Sequence, residues 1–327
     1  MKKQIEKKSR GKKNVARVKE RILILGIIAG FLILLVSWSS FTIYQAYSDN
    51  GALENEVYSH LESVAQSKAN RIGFFLDERK EDLVFLANSK EVIDLLNVRE
   101  ITKPIDDKLT FFQEVNNYMD LILIDINGEV LWSAKHKEFI GRDLNSEEYN
   151  SSKLGEVYNK VKNDFGVGIF DPGYYGEEGK LSIFVTSPVL IDSVIAGKKD
   201  IIGIIALQID NSQIEQRVQS DVGLGESGKI YLVNRDGTPT TSLLDETGVK
   251  ITSIDTKMYR DCFKDYNNYY FERQGEEIEF VEGSGVYENY IGKKVFGAHQ
   301  YILETGWCVM VEIEKDKFYD SLKGKGK

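Results

Sequence analysis

Cysteine and histidine are scarce in this 327-residue chain: Cys262 and Cys308 are its two cysteines, and His60, His136 and His299 its three histidines. Two cysteines cannot build a disulfide framework; in an oxidising compartment they can pair once. Nothing among these five residues has metal-ligand spacing, so neither a zinc site nor any other metal or cofactor is expected. A Gly-x-Ser-x-Gly elbow, an HExxH string and a phosphate-binding loop are also missing, as are kinase, cyclase and methyl-accepting segments. The expectation is a protein that is not an enzyme. Basic residues are thin after the first 21 positions, which hold ten (Lys2, Lys3, Lys7, Lys8, Arg10, Lys12, Lys13, Arg17, Lys19, Arg21) against Glu6 and Glu20. Of the chain's 42 basic and 51 acidic residues this leaves 32 against 49, an acidic surface that argues against nucleic acid as a partner.

What is present begins with Ile22–Tyr44, which carries no charge and as a helix would rise roughly 34 Å, enough to cross a bilayer. The basic tail ahead of it predicts a single-pass cell-membrane anchor, residues 1–21 cytoplasmic and everything from about Gln45 outside. Trp38, Tyr44 and Tyr47 suit the outer interface. A cleaved signal peptide is the alternative, with Ala46 and Ser48 as a small-x-small site, but the apolar run is longer than such a segment needs.

Beyond the membrane, Val57, Leu61, Val64, Lys68, Ile72, Phe75, Leu76, Leu83 and Leu86 recur at three- and four-residue steps, predicting an amphipathic helix that continues to about Leu96. Pro104 lies past its end. From Asp120 the period becomes that of strands, and the pattern occurs twice. Leu121 to Trp132 reads as a hairpin around Asp125-Ile126-Asn127-Gly128, and Ile230 to Gly237 repeats the design. Pro188–Ile191 and Ile201–Ile209 follow the first copy; Ala298–Ile302 and Gly306–Ile313 follow the second. Ser151 to Asn163 and Asn211 to Gln219 read as helices. The sequence thus predicts an α+β protein with two tandem antiparallel-sheet modules.

Read in order, these segments resemble the double Cache sensor domains of chemoreceptors and sensor histidine kinases. The resemblance rests on Val64–Ile72, the Asp125-x-Asn127-Gly128 turn, Gly141-Arg142-Asp143-Leu144 ahead of Tyr149-x-x-Ser152, Phe184–Val189, Gly203–Ile209, Gly223–Val233, Tyr287–Gly297 and Gly306–Ile313. It implies a transmembrane helix (22–44) running into a long extracytoplasmic helix (45–100), a membrane-distal PAS-like module (101–219), a membrane-proximal one (220–320) and a tail (321–327). It also implies a small-metabolite ligand in the distal module, and leaves a homodimer through the long helix as a further partner. Unlike the family's usual receptors, the sequence reaches Lys327 without a second membrane helix or output domain, so the expectation is either an incomplete or split receptor or one that signals through a separate cytoplasmic or membrane partner. The family's amino-acid receptors grip the ligand with an Arg-x-Trp-Tyr string, which this chain lacks.

Three local patterns resolve by context. Gly223-Leu224-Gly225-Glu226-Ser227-Gly228 fits a dinucleotide fingerprint but follows a predicted helix and opens a strand, the reverse of a nucleotide site. Asp125-x-Asn127-Gly128 lacks the later ligands of a calcium loop and reads as a turn. The acidic pair Glu276 and Glu277 reads as a solvated loop rather than a glycosidase dyad. Phe170-Asp171-Pro172-Gly173-Tyr174-Tyr175 is different, because one acid among aromatics on a turn suits a small polar or cationic ligand. The expected ligand site is therefore Asp171, Tyr174 and Tyr175, with Trp132, Tyr149 and Phe184 completing the wall. A membrane-anchored scaffold or adhesion protein, or a surface hydrolase, is the alternative function. The topology is testable directly: protease added to intact cells should digest everything after residue 44 and spare the tail, and a tail cleaved from outside would overturn it.

Overall fold

The computed structural model describes residues 2–164, 166–175, 180–195, 197–219, 223–225, 227–272 and 283–324, with few side chains before Gly51. They form two compact units, residues 1–57 and 58–327. Helix α1 (Lys2–Ala87) is followed by α2 (Lys90–Val98), α3 (Lys103–Val115), β1 (Asp120–Asp125), β2 (Val130–Ser133), α4 (Lys153–Asp164), β3 (Gly168–Tyr175), β4 (Lys180–Asp192) and β5 (Lys199–Asp210). Then come α5 (Ser212–Gln219), β6 (Gly228–Val233), α6 (Lys257–Glu272), β7 (Gly283–Glu288), β8 (Lys294–Ile302), β9 (Trp307–Glu314) and α7 (Lys315–Gly324). Among the described residues no helix is long and apolar enough to cross a membrane. Most side chains of residues 22–44 lie outside the described ones, and the large apolar ones described there, Phe31, Leu34, Leu35 and Trp38, are exposed. Glu276 and Glu277 also lie outside the described residues.

Within the second unit, α1 buries Leu61, Val64, Ala65, Ala69, Ile72, Phe75, Leu76, Leu83 and Leu86, the stripe its periodicity predicts. Lys68 sits in the same stripe, 3% exposed, because its Nζ donates to the Arg217 carbonyl at 2.8 Å. That ammonium satisfies the C-terminal end of α5, where carbonyls lack helical partners and the dipole favours a cation. Phe75 lies between the guanidinium groups of Arg79 and Arg217, 4.0 and 3.6 Å from its ring centroid. The helix touches the second sheet through Tyr58, edge-on to Phe296 at 5.7 Å, and the first through Asp82, which accepts from Tyr118 Oη. It stops short of the expected Leu96. Asn88 Nδ2 bonds the Val84 carbonyl at 2.7 Å, and Ser89 Oγ accepts from Val92 N at 3.4 Å to cap a separate α2.

The two sheets are wholly antiparallel, with orders β2-β1-β5-β4-β3 and β6-β9-β8-β7. Leaving out β2, the two orders are the same, strand for strand. The second copy makes only a single bridge, Val233 to Pro239, where the first has a hairpin strand; proline has no N–H to extend the ladder. One turn recurs in both. Asp125 Oδ1 accepts from the N–H of Asn127 and Glu129, and Asn234 Oδ1 from those of Asp236 and Thr238. Gly128 (φ 97°) and Gly237 (φ 78°) occupy the left-handed position that ends each turn. Each sheet packs one face on a helix: α4 covers Ile122, Ile124, Phe184, Ile204 and Ala206, and α6 covers Tyr231, Val233, Val295 and Met310. The Cys262–Cys308 disulfide ties α6 to β9.

The second sheet encloses a charged group. Glu312, 1% exposed, accepts from Asn289 Nδ2 at 3.0 Å and from Tyr231 Oη at 3.2 Å, while Lys229 Nζ donates to Tyr290 Oη nearby at 2.8 Å. Burial raises its pKa from 4.5 to about 7 despite those hydrogen bonds. A raised folded pKa favours the folded state below the unfolded value, and that contribution is lost as pH rises through the folded one. Glu312→Gln keeps the shape and cannot ionise. Between pH 5 and pH 8 its stability relative to the parent should therefore improve, by on the order of 3 kcal/mol at most. Urea denaturation of both proteins at the two pH values checks this, and an unchanged difference would refute it.

Candidate functional site

Strand register assembles a row across the first sheet that no sequence neighbourhood contains. Asp120 of β1 pairs with Gln208 of β5, Gln208 with Phe184 of β4, and Phe184 with Phe170 of β3. By alternation all four face α4. The row is polar at one end and aromatic at the other. Asp120 is fully buried; its carboxylate accepts from Ser133 Oγ at 2.6 Å, Leu121 N at 2.8 Å and Lys135 N at 2.9 Å. Burial pushes its pKa up, and the hydrogen bonds pull against that. Gln208 donates to Ser182 Oγ at 2.8 Å, and its Oε1 is buried with no hydrogen-bond partner among the described residues. Leaving a buried acceptor unpaired costs roughly 1–3 kcal/mol.

The segment between β2 and α4 stands beside this row. His136 N donates to Ser133 Oγ at 2.8 Å, one hydrogen bond from Asp120. The His136 and Phe139 rings lie 5.9 Å apart, Phe139 and Tyr149 6.1 Å apart, and the last two pack on the core under α4. Arg142 is 5.9 Å from the Tyr149 ring centroid. Ser152 Oγ accepts from Gly155 N at 3.1 Å and starts α4, as its position predicts. The arrangement offers buried hydrogen-bond acceptors beneath an aromatic rim, a setting for a small ligand with N–H donors.

The six residues expected to hold a ligand separate in space. Phe184, fully buried, and half-buried Tyr149 belong to this row and rim. Trp132 does not. A register shift between Leu123 and Ile124 pairs it with Leu123, on the face away from α4, where its Nε1 donates to Asp106 at 2.7 Å and Lys137 Nζ lies 4.9 Å over its ring. Asp171 lies in a second register shift, between Phe170 and Gly173, where Pro172 cannot donate to the ladder. Instead of a turn aimed inward, this bulge sends the carboxylate toward the second sheet. There it accepts from Trp307 Nε1 at 2.5 Å and Asn234 Nδ2 at 3.0 Å. Tyr174 and Tyr175 pair through their backbones with Leu181 and Lys180, and their side chains lie outside the described residues. Asp120 and Gln208 escaped sequence reasoning, although each is a polar residue in a strand of otherwise apolar character, which was the available signal.

Solved structures share this fold at low identity. The sensor domain of the V. cholerae histidine kinase DctB aligns with 82% of this chain and 99% of its own, at TM-score 0.51 and 17% identity. The ligand-binding domain of the Pseudomonas aeruginosa chemoreceptor PctB, solved with L-Arg, aligns with 82% of this chain and 92% of its own, at TM-score 0.54 and 15% identity. That of Campylobacter jejuni Tlp3, solved with L-norvaline, aligns with 81% and 94%, at TM-score 0.53 and 15% identity. Curated protein sequences contain no match. With two antiparallel sheets of one strand order behind a long helix, and the family's profile matching residues 50–322, this chain belongs to the Cache domain family.

Proposed function

We propose that this chain is the sensing part of a membrane receptor, non-enzymatic, anchored by residues 22–44 with the modules outside the cell, and that it binds a small amine-bearing metabolite on the α4 face of its first sheet. The observation that carries this reading is the buried Oε1 of Gln208, without a hydrogen-bond partner among the described residues, beside the buried carboxyl of Asp120. Both are acceptors, so the complementary ligand group is a donor such as an ammonium or amide. The rings of His136, Phe139 and Tyr149 suit a cation at the rim. Amino-acid complexes of the PctB and Tlp3 domains are consistent with such a ligand. Without an Arg-x-Trp-Tyr string, its carboxylate, if it has one, needs another partner; Arg142, exposed at the rim, is the candidate.

In this reading Asp171 does not touch the ligand. It joins the ligand-bearing sheet to the second one through Trp307 and Asn234, so a ligand that shifts β3 changes a bond to β9. A ligand moves such an equilibrium only by its difference in affinity for the two states.

A thermal-shift screen of the exterior segment against amino acids, polyamines and other small amines, with amine-free analogues as controls, tests the site. A ligand present at 100 times its Kd should stabilise the protein by about 2.7 kcal/mol. Gln208→Leu should weaken that ligand at least about tenfold. Asp171→Ala should bind it as the parent does, yet lose about 1.5–3 kcal/mol of stability with its charged hydrogen bonds. No response to any amine would defeat the ligand class, and a Gln208→Leu variant that binds normally would move the site elsewhere.

A further inference from the structure

The second sheet holds a cluster that the sensing function does not use. Cys262 of α6, His299 of β8 and Cys308 of β9 are 2%, 2% and 0% exposed, and a ring nitrogen of His299 and the two sulfurs all lie within 4.8 Å of one another. The fold arranges this with care for space. His299 pairs with Met310 and Tyr301 with Cys308, so alternation turns His299 and Cys308 to the same face, the one α6 covers. On the other side of His299, β7 places Gly283 opposite it, where any Cβ would collide with Nε2. That Nε2 is buried with no hydrogen-bond partner among the described residues. A neutral imidazole offers the lone pair of one ring nitrogen to a metal.

We propose that Cys262, His299 and Cys308 form a three-ligand site for a thiophilic divalent cation of the zinc class, open when the Cys262–Cys308 disulfide is reduced and closed when it is formed. Two soft sulfurs and one neutral imidazole are the donor set such a cation prefers, with a water completing the tetrahedron. The chemistry balances simply. A thiol or phosphine reductant gives two electrons to the S–S bond, which takes up two protons to become two thiols; the cation then displaces those two protons and binds two thiolates. The spacing along the chain, 46 residues between the cysteines, conceals the site from any motif. Its position also matters, because Cys308 directly follows Trp307, whose indole holds Asp171 of the first sheet. Metal or disulfide at Cys308 therefore sets the strand end that carries this bond.

The test uses the full chain, oxidised or reduced with a phosphine that is then removed, titrated with Zn2+ alone against a chromophoric chelator. The reduced protein should take up about one equivalent, at least about 100-fold more tightly than the oxidised protein. His299→Gln in the reduced state should bind at least about tenfold more weakly, and Cd2+ should give the ultraviolet absorption of metal-bound thiolate. Because a core histidine variant can fail to fold, ring-nitrogen NMR of the reduced parent is the second measurement, with a shift of one His299 nitrogen expected on Zn2+ addition. Equal Zn2+ binding by the two redox forms, or a His299 ring that does not respond to the metal, would overturn the assignment.

Discussion

One carboxylate joins the two sheets. Asp171 accepts from the indole of Trp307 and the amide of Asn234, and both donors come from the far module. Such charge-assisted bonds are stronger than neutral ones and carry direction as well as energy. Everything needed to make this pair of bonds is a departure from regularity: the bulge at Asp171-Pro172, the turn at Asn234, and a tryptophan at the first residue of β9. Asn234 serves twice, its Oδ1 closing its own turn while its Nδ2 reaches across. The same position in the first copy, Asp125, closes the equivalent turn and pairs with Arg99 at 3.1 Å. One turn design thus anchors a helix end in one module and the neighbouring sheet in the other.

Helix α1 supplies a second, longer tie. Its stripe is apolar except at Lys68, and that exception is a specific bond to the end of α5, the helix that connects the modules. Phe75, held between two guanidinium groups, lies about two turns further along the same face. A displacement of α5 would therefore be felt by α1 through a hydrogen bond and a stacked ring rather than through loose apolar contact. Of the buried acids, Asp120 and Glu312 occupy different environments, the first beside an amide oxygen that has no partner among the described residues and the second among phenols and an amide. Between these two, the first has next to it a buried acceptor that lacks a donor among the described residues.

Most of the fold is legible in the sequence because its signals are local. The three- and four-residue steps of α1, the Asp/Asn-x-x-Gly turns that place glycine at positive φ, and the repeated strand segments each act within a few residues. The break at Asn88 and Ser89 was also local, yet it was hidden by apolar periodicity that runs unbroken from α1 into α2. The candidate site was much less legible. Of the expected wall, Phe184 and Tyr149 lie at the candidate row and rim, while Trp132 and Asp171 lie elsewhere.

The reason is register. Side chains alternate along a strand, so a single bulge reverses every face beyond it, and no residue type reports where the ladder will slip. Sequence alone determined that there would be two antiparallel sheets, a long helix with one buried stripe, and polar turns between strands, since periodicity and backbone preference act at short range. Tertiary structure alone decided which side chains meet. Asp120, Gln208, Phe184 and Phe170 share a row only because β1, β5, β4 and β3 lie side by side in that order. Cys262, His299 and Cys308 converge only because α6 crosses the face to which β8 and β9 turn them. Each such meeting depends on hydrogen bonds between strands far apart in the chain, and those bonds form cooperatively once the whole sheet exists.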